Sequence, residues 1–168
     1  MRGKAMAQRG TKSSRSMRRG NLRRSLERLE RLLAANFATG DTLVTLAYDG
    51  AQRPRSRELA GCHFYSWIRA VRTVYSGCGK GLRYAYGVVW ATDERGPMYR
   101  VILNTSQANG AALAALWPHG PASAERLRLE GGCHELAALL MRQAVEAGET
   151  PVPCRRVWGA SRNIIKPE

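Results

Sequence analysis

Apolar residues recur at three- and four-residue steps in NLRRSLERLERLLAANF (21 to 37), where Leu22, Leu26, Leu29, Leu32 and Leu33 form one stripe. That spacing predicts an amphipathic helix with Asn21 as its N-cap. Glu27 and Arg31, four apart, support it. After the Gly40-Asp41 turn, TLVTLAY (42 to 48) is rich in β-formers and predicts a strand. The polar loop DGAQRPRSR leads to a second helix from Glu58 to Tyr75, with Leu59, Cys62, Trp67, Val71 and Val74 on its apolar side. SGCGKG breaks it. LRYAYGVVWA (82 to 91) and MYRVILN (98 to 104) predict two strands, and TDERGP between them has the length of a hairpin connection. An Ala/Leu-rich helix from Gln107 to Trp117 is closed by Pro118. ERLRLE (125 to 130) alternates charge with Leu127 and Leu129, the pattern of a strand wet on one face. CHELAALLMRQAVEA (133 to 147) predicts the last helix, and the tail from Gly148, with Pro151, Pro153 and Pro167, reads as irregular.

The order is a helix, then β-α-β-β-α-β, then a helix. It predicts an α+β fold: a ferredoxin-like antiparallel sheet packed by helices on one face, preceded by an N-terminal helix and a basic arm. At 168 residues the chain suits one domain. The expected division is a disordered arm at 1 to 20, the domain at 21 to 150, and an irregular tail at 151 to 168 packing on it. That architecture hosts many unrelated functions, so it does not assign one.

Charge narrows the field. The net charge is +14, and the first 24 residues hold nine Lys or Arg and no acid. Such a Ser/Gly-rich arm buries no apolar surface, so it is expected to stay without structure until it meets a polyanion. Clustered arginines that fork onto phosphates point to nucleic acid, where each contact releases counterions. The helix at 21 to 37 extends the basic surface through Arg23, Arg24, Arg28 and Arg31. No apolar run reaches the length of a membrane span. The arm shares the Arg/Ser-rich composition of a transit peptide but has no apolar stripe before Leu22, and a cytoplasmic location is expected.

Cys62, Cys78, Cys133 and Cys154 include no C-x-x-C pair. Cys62-His63 and Cys133-His134 could together suggest zinc, but their spacing favours free thiols. His119 reads as a loop residue and His134 as a first-turn residue of the last helix. Tyr84, Tyr86 and Trp90 share one strand face by period two, joined by Tyr99 on the hairpin partner. Such a row suits either base stacking or a core packed against helices.

Four blocks carry a family resemblance: NLRRSLERLERLLAANFATGDTLVTLAYD (21 to 49), LRYAYGVVWATDERGPMYRVILN (82 to 104), AALWPHG (114 to 120) and ASRNIIKPE (160 to 168). In order and spacing the chain resembles the rolling-circle replication-associated proteins of filamentous phages and plasmids. The resemblance implies an HUH-type fold and metal-dependent DNA nicking and joining. In that chemistry, paired histidines and a carboxylate hold the metal and a tyrosine attacks the phosphodiester. Carried across, Met98 and Arg100 occupy the two histidine positions, Ala91 the carboxylate position and Leu139 the tyrosine position, followed by Arg142. Met is a poor ligand for Mg²⁺ or Mn²⁺, and Arg repels the ion. Ala91 and Leu139 offer no ligand and no nucleophile. A shifted alignment would make Asp93, Glu94 and Tyr99 available, while His63, His119 and His134 are the chain's only histidines. Arg100 is expected either to hold a phosphate in place of the metal or to pair with Asp93, Glu94 or another surface acid across the sheet.

The reading is a nucleic-acid-binding, catalytically degenerate relative of these initiators, acting in phage or plasmid replication or its regulation. Arg15, Arg18, Arg19, Arg23, Arg24, Arg28, Arg100, Arg162 and Lys166 are its expected nucleic-acid contacts. Single- or double-stranded DNA is the expected partner, with RNA as the alternative and an active paralogue or replication proteins as further partners. No metal or other cofactor is expected. The competing readings are an active nickase with relocated residues, using Mg²⁺ or Mn²⁺, and a non-enzymatic protein-interaction scaffold.

Overall fold

The leucine stripe at 22 to 33 forms the packed end of a much longer helix, α1, which spans Lys4–Asn36. The computed structural model describes residues 4–90, 96–104, 109–147 and 157–168, with side chains from residue 15 onward. The basic arm therefore continues α1 as far as Lys4 instead of standing apart from it. No proline interrupts the stretch, and its Ala, Met, Gln, Lys and Arg residues are good helix formers. Burial begins only where the stripe meets the body: Leu29, Leu32 and Leu33 are buried, and Leu22 and Leu26 are partly covered.

Five strands form one sheet: β1 (Thr42–Leu46), β2 (Tyr84–Trp90), β3 (Pro97–Leu103), β4 (Ala122–Arg126) and β5 (Trp158–Ala160). Their order is β4-β1-β3-β2-β5, and every neighbouring pair is antiparallel. β3 lies between β1 and β2, so Val101 faces Val44 on one side and Tyr86 on the other. Helix α2 (Arg57–Gly77) links β1 to β2, with Ser56 accepting the Leu59 amide as its N-cap. The short α3 (Gly110–Ala114) precedes β4 and is capped by Asn109. Two further helices follow, α4 (His134–Leu140) and α5 (Arg142–Ala147).

Helices cover both faces of the sheet, not one as expected. On one face Val44, Leu46, Tyr84, Val88, Tyr99 and Val101 pack against Phe64, Trp67, Ile68 and Val71 of α2. On the other, Leu43, Ala85 and Ile102 meet Leu29 and Leu33 of α1 and Leu136, Ala137 and Leu140 of α4. The cause is in the side chains, because β1, β2 and β3 are apolar on both faces and each face must be buried. The row of Tyr84, Tyr86, Trp90 and Tyr99 points at α2, where the Phe64 ring stacks on Tyr99 at 4.6 Å. Those aromatics are therefore core.

Three other expectations shift. β4 begins three residues before ERLRLE and ends at Arg126, and Leu127 turns inward beyond it, donating its amide to Asp41 and accepting from Gly40. The single last helix breaks at Met141 into α4 and α5. The tail contains β5, which pairs with β2 at Tyr86↔Gly159. Gln107, where the third helix was expected to begin, is outside the described residues.

Contact between α4 and the sheet depends on a missing side chain. A Cβ on Gly87 would overlap the Leu140 carbonyl. Gly87→Ala should therefore destabilise the protein by about 3 kcal/mol, the upper range for overpacking. Gly61, inside α2 with open space around its Cβ position, is the control. Gly61→Ala should stabilise by about 0.8 kcal/mol. Urea denaturation midpoints of the two variants check both signs.

Candidate nucleic-acid interface

The positions that the resemblance aligns with a metal site do not assemble one. Met98 and Arg100 lie on β3 and project to the face covered by α1, α4 and α5, opposite the one on which Tyr99 packs. Arg100 faces Gly87 across the strand pair. Burial holds its guanidinium below the usual arginine value, with Arg142 adding to the shift and Glu146 opposing it. Its Nη1 is buried without a hydrogen-bond partner among the described residues. Leu139 points elsewhere, lining a recess with Leu127, Leu129 and Glu135. Ala91, Asp93 and Glu94 are outside the described residues. Among the described residues, no group of three or more His, Cys, Asp or Glu side chains is placed to hold a metal ion. The two Cys-His pairs are far apart in the fold: Cys62 is exposed on α2, whereas Cys133 is buried between α1 and α4 on the other face.

His119 instead belongs to a clasp at the end of β1. The Trp117 indole donates to the Ala47 carbonyl at 2.7 Å, and the Asp49 amide donates to the His119 carbonyl at 2.9 Å. The His119 ring stacks on His63 of α2 at 3.8 Å, and His63 Nδ1 lies 3.1 Å from the Tyr48 hydroxyl. Burial, then the neighbouring His63, holds His119 below its ordinary value, while burial raises the Tyr48 phenol. His134 is exposed and sits 3.4 Å from Glu30 of α1.

The basic residues at the two ends of the sequence do converge. A groove of about 700 Å³ runs between α1 and the C-terminal segment, with Arg28 on one wall and Arg162 and Lys166 on the other. Ser25, Trp158 and Ser161 complete its polar and aromatic lining, and among the described residues no Asp or Glu contributes. Arg15, Arg18, Arg19, Arg23 and Arg24 continue the cationic surface along exposed α1, where Arg23 meets Glu27 at 2.9 Å. Arg100 does not line this groove.

Polar pegs hold the second wall in place. Asn36, buried at the end of α1, donates to the Ile165 carbonyl and accepts from the Ile165 amide, both at 2.7 Å. The Ser161 hydroxyl accepts the Tyr84 amide at 3.1 Å, and the Ser161 amide donates to the Tyr84 carbonyl at 2.8 Å. The Asn163 side chain donates to the Leu82 carbonyl at 3.0 Å. In SRNIIK, then, Ser161 and Asn163 bind the body while Arg162 and Lys166 remain exposed. Sequence reasoning placed Arg28, Arg162 and Lys166 among the contacts but did not identify Asn36, Trp158 or Ser161 as their supports. A polar residue at the end of an apolar helical stripe, such as Asn36, is the signal that could have found the first.

Comparison of the chain with protein-family models, with curated protein sequences and with solved structures finds no match.

Asn36→Ala should cost about 2 kcal/mol, because it strips the Ile165 backbone of both partners. Chemical denaturation should register that loss, and proteolysis should cut the C-terminal segment sooner. The stacked histidines give a pH dependence of known sign. A His119 held below its ordinary value of 6.5 favours the neutral ring in the folded state. Stability is therefore complete above that value and falls as the pH drops below it. Urea midpoints from pH 7.5 to 5 should fall for the natural protein and flatten over that interval for His119→Gln.

Proposed function

We propose that this chain binds nucleic acid through its phosphate backbone and is a catalytically degenerate relative of rolling-circle replication proteins. One observation carries the reading: cations from sequence-distant segments, Arg28 on α1 and Arg162 and Lys166 in the tail, meet in one groove that no acid among the described residues lines. An isolated basic tail gives solubility, but a walled groove of one sign concentrates a polyanion and orients it. Guanidinium groups there can fork onto phosphate oxygens, and the adjoining arginines of α1 lengthen the footprint. DNA is the proposed polyanion, with replication or its regulation as the setting.

The loss of nicking follows from chemistry at the aligned positions. Met98 and Arg100 cannot hold a divalent ion between them, and Leu139 cannot form a phosphodiester. Tyr99, the phenol nearest the aligned strand positions, is buried against Phe64 and does not reach a surface substrate. The binding half of the ancestral task can persist without the cutting half, because grooves and metal ligands use different residues.

The test is the salt dependence of DNA binding. Log affinity should fall linearly with log salt, and Arg28→Ala combined with Lys166→Ala should reduce the slope by about 1.5. A flat dependence for the natural protein would remove the nucleic-acid reading. Incubation with single-stranded origin-like DNA and Mn²⁺ should leave no covalent adduct on a denaturing gel. An adduct would instead establish a relocated nickase.

A further inference from the structure

A second groove, of about 980 Å³, opens on the other side of the β5 edge. Its cations are Arg69 and Arg72 of α2, Lys80 just beyond that helix, and Arg162. Among the described residues, it too is lined by no Asp or Glu. The two grooves share Ala160, Ser161 and Arg162, so they meet at the end of the outermost strand. One lies against α1 and the other against α2, the helices that cover opposite faces of the sheet. Burial, then Tyr65, raises the Tyr84 phenol, and Arg72 and Arg162 oppose that shift, so the α2 arginine and the tail arginine both lie near its ring. Tyr65 of α2 lines this second groove and is 50% exposed, an aromatic face open to solvent, whereas Tyr84 and Tyr99 of the sheet are buried.

We propose that the α2 groove is the second half of a strand-binding path, and that a single-stranded nucleic acid crosses the β5 edge with Arg162 at the crossing and Tyr65 beneath a base. This deepens the function proposed above and rests on it. The shape of the path selects the form of the ligand. It passes from one face of the sheet to the other around an edge strand of three residues. A duplex is stiff over about 150 base pairs and resists so sharp a turn. A single strand rotates freely about its backbone bonds and leaves bases unpaired for stacking. Charge from Arg28 to Lys80 follows the phosphates, while Tyr65 accepts any base, because every base has a π-face. The recognition is therefore of strand form and not of sequence. DNA and RNA strands share that chemistry.

Fluorescence anisotropy with the full chain tests the path, using labelled oligo-dT and oligo-U of about 20 nucleotides and a duplex of equal length. Arg69→Ala with Arg72→Ala should weaken oligo-dT binding about tenfold and reduce its salt slope by about 1.4, the equivalent of two single-strand phosphate contacts. Tyr65→Ala should weaken it about tenfold with the slope unchanged, since stacking releases no counterions. Oligo-U measures whether the sugar matters, and equal loss on both polymers supports recognition of backbone and base face. If the α2 variants bind oligo-dT normally while Arg28→Ala with Lys166→Ala does not, the path ends at β5 and the proposed function stands without this extension. If neither pair of substitutions matters, both readings fall. Duplex bound as tightly as single strand, with equal loss in the α2 variants, overturns the selection of strand form. All three α2 side chains are exposed, and unchanged melting temperatures confirm that the variants fold.

Discussion

The paired bonds between Asn36 and Ile165 are the constraint on which the cationic surface depends. A short segment of this composition, with little secondary structure of its own, frays unless tied to the body. Here a buried amide at the last turn of α1 treats the Ile165 backbone as a strand would, offering one donor and one acceptor. Ser161 and Asn163 add bonds to Tyr84 and Leu82, so the segment is held both to α1 and to the margin of β2. Arg162 and Lys166 then stand at set positions opposite Arg28 instead of sampling solvent. A cation held in place loses less conformational entropy on meeting a phosphate than one on a free tail.

On the other side of β2 a different closeness excludes chemistry. Gly87 lets the backbone of α4 rest directly on the sheet beside Arg100, and Gln143 of α5 then bonds both the amide and the carbonyl of Trp90. A helix in backbone contact with a strand leaves no gap there for a phosphodiester. The face on which Met98 and Arg100 lie is covered by α4 and α5.

Elements were legible where burial imposed a period. The leucine spacing of α1, the apolar side of α2 and the β-rich runs of β1, β2 and β3 each reflect a face pressed into a core, and each was found to within a few residues except the start of α1, which lies at Lys4 and not Asn21. β5 escaped because three residues are too few to express an alternation, and its pairing with β2 is a long-range fact. β4 was displaced because Leu127 and Leu129 alternate as a strand would, although they turn inward beyond its end. The covering of both faces was present in the sequence as apolar residues at every position of Val101, Ile102 and Leu103, a run that alternation alone does not interpret. At the candidate site the charges were readable one by one, but their convergence was not. Arg28 and Arg162 become neighbours only through the tail's docking. The α2 arginines, Arg69 and Arg72, read as the ordinary wet side of an amphipathic helix. The Leu-Trp-Pro-His-Gly block was visible as a motif, and its physical role as a clasp on β1 needed the fold.

Crowding of like charge gives the grooves a thermodynamic direction. With a net charge of +14, the folded chain brings Arg28, Arg69, Arg72, Arg162 and two lysines onto adjoining walls that include no acid among the described residues. Such an arrangement works against the compact state through self-repulsion, and salt relieves it only within the Debye length, about 8 Å at physiological ionic strength. The arginines that could have been neutralised by neighbours are neutralised elsewhere: Arg23 by Glu27 and Arg142 by Glu146, both away from the grooves. Among the described residues the groove cations meet no carboxylate, which leaves donors for an external acceptor. In the proposed complex a phosphate chain would supply that acceptor and relieve the repulsion as it gained its own contacts. Binding and folding would then be linked through the same residues, and a ligand that neutralised the grooves would stabilise the protein by an amount that rises with the logarithm of its concentration relative to its Kd.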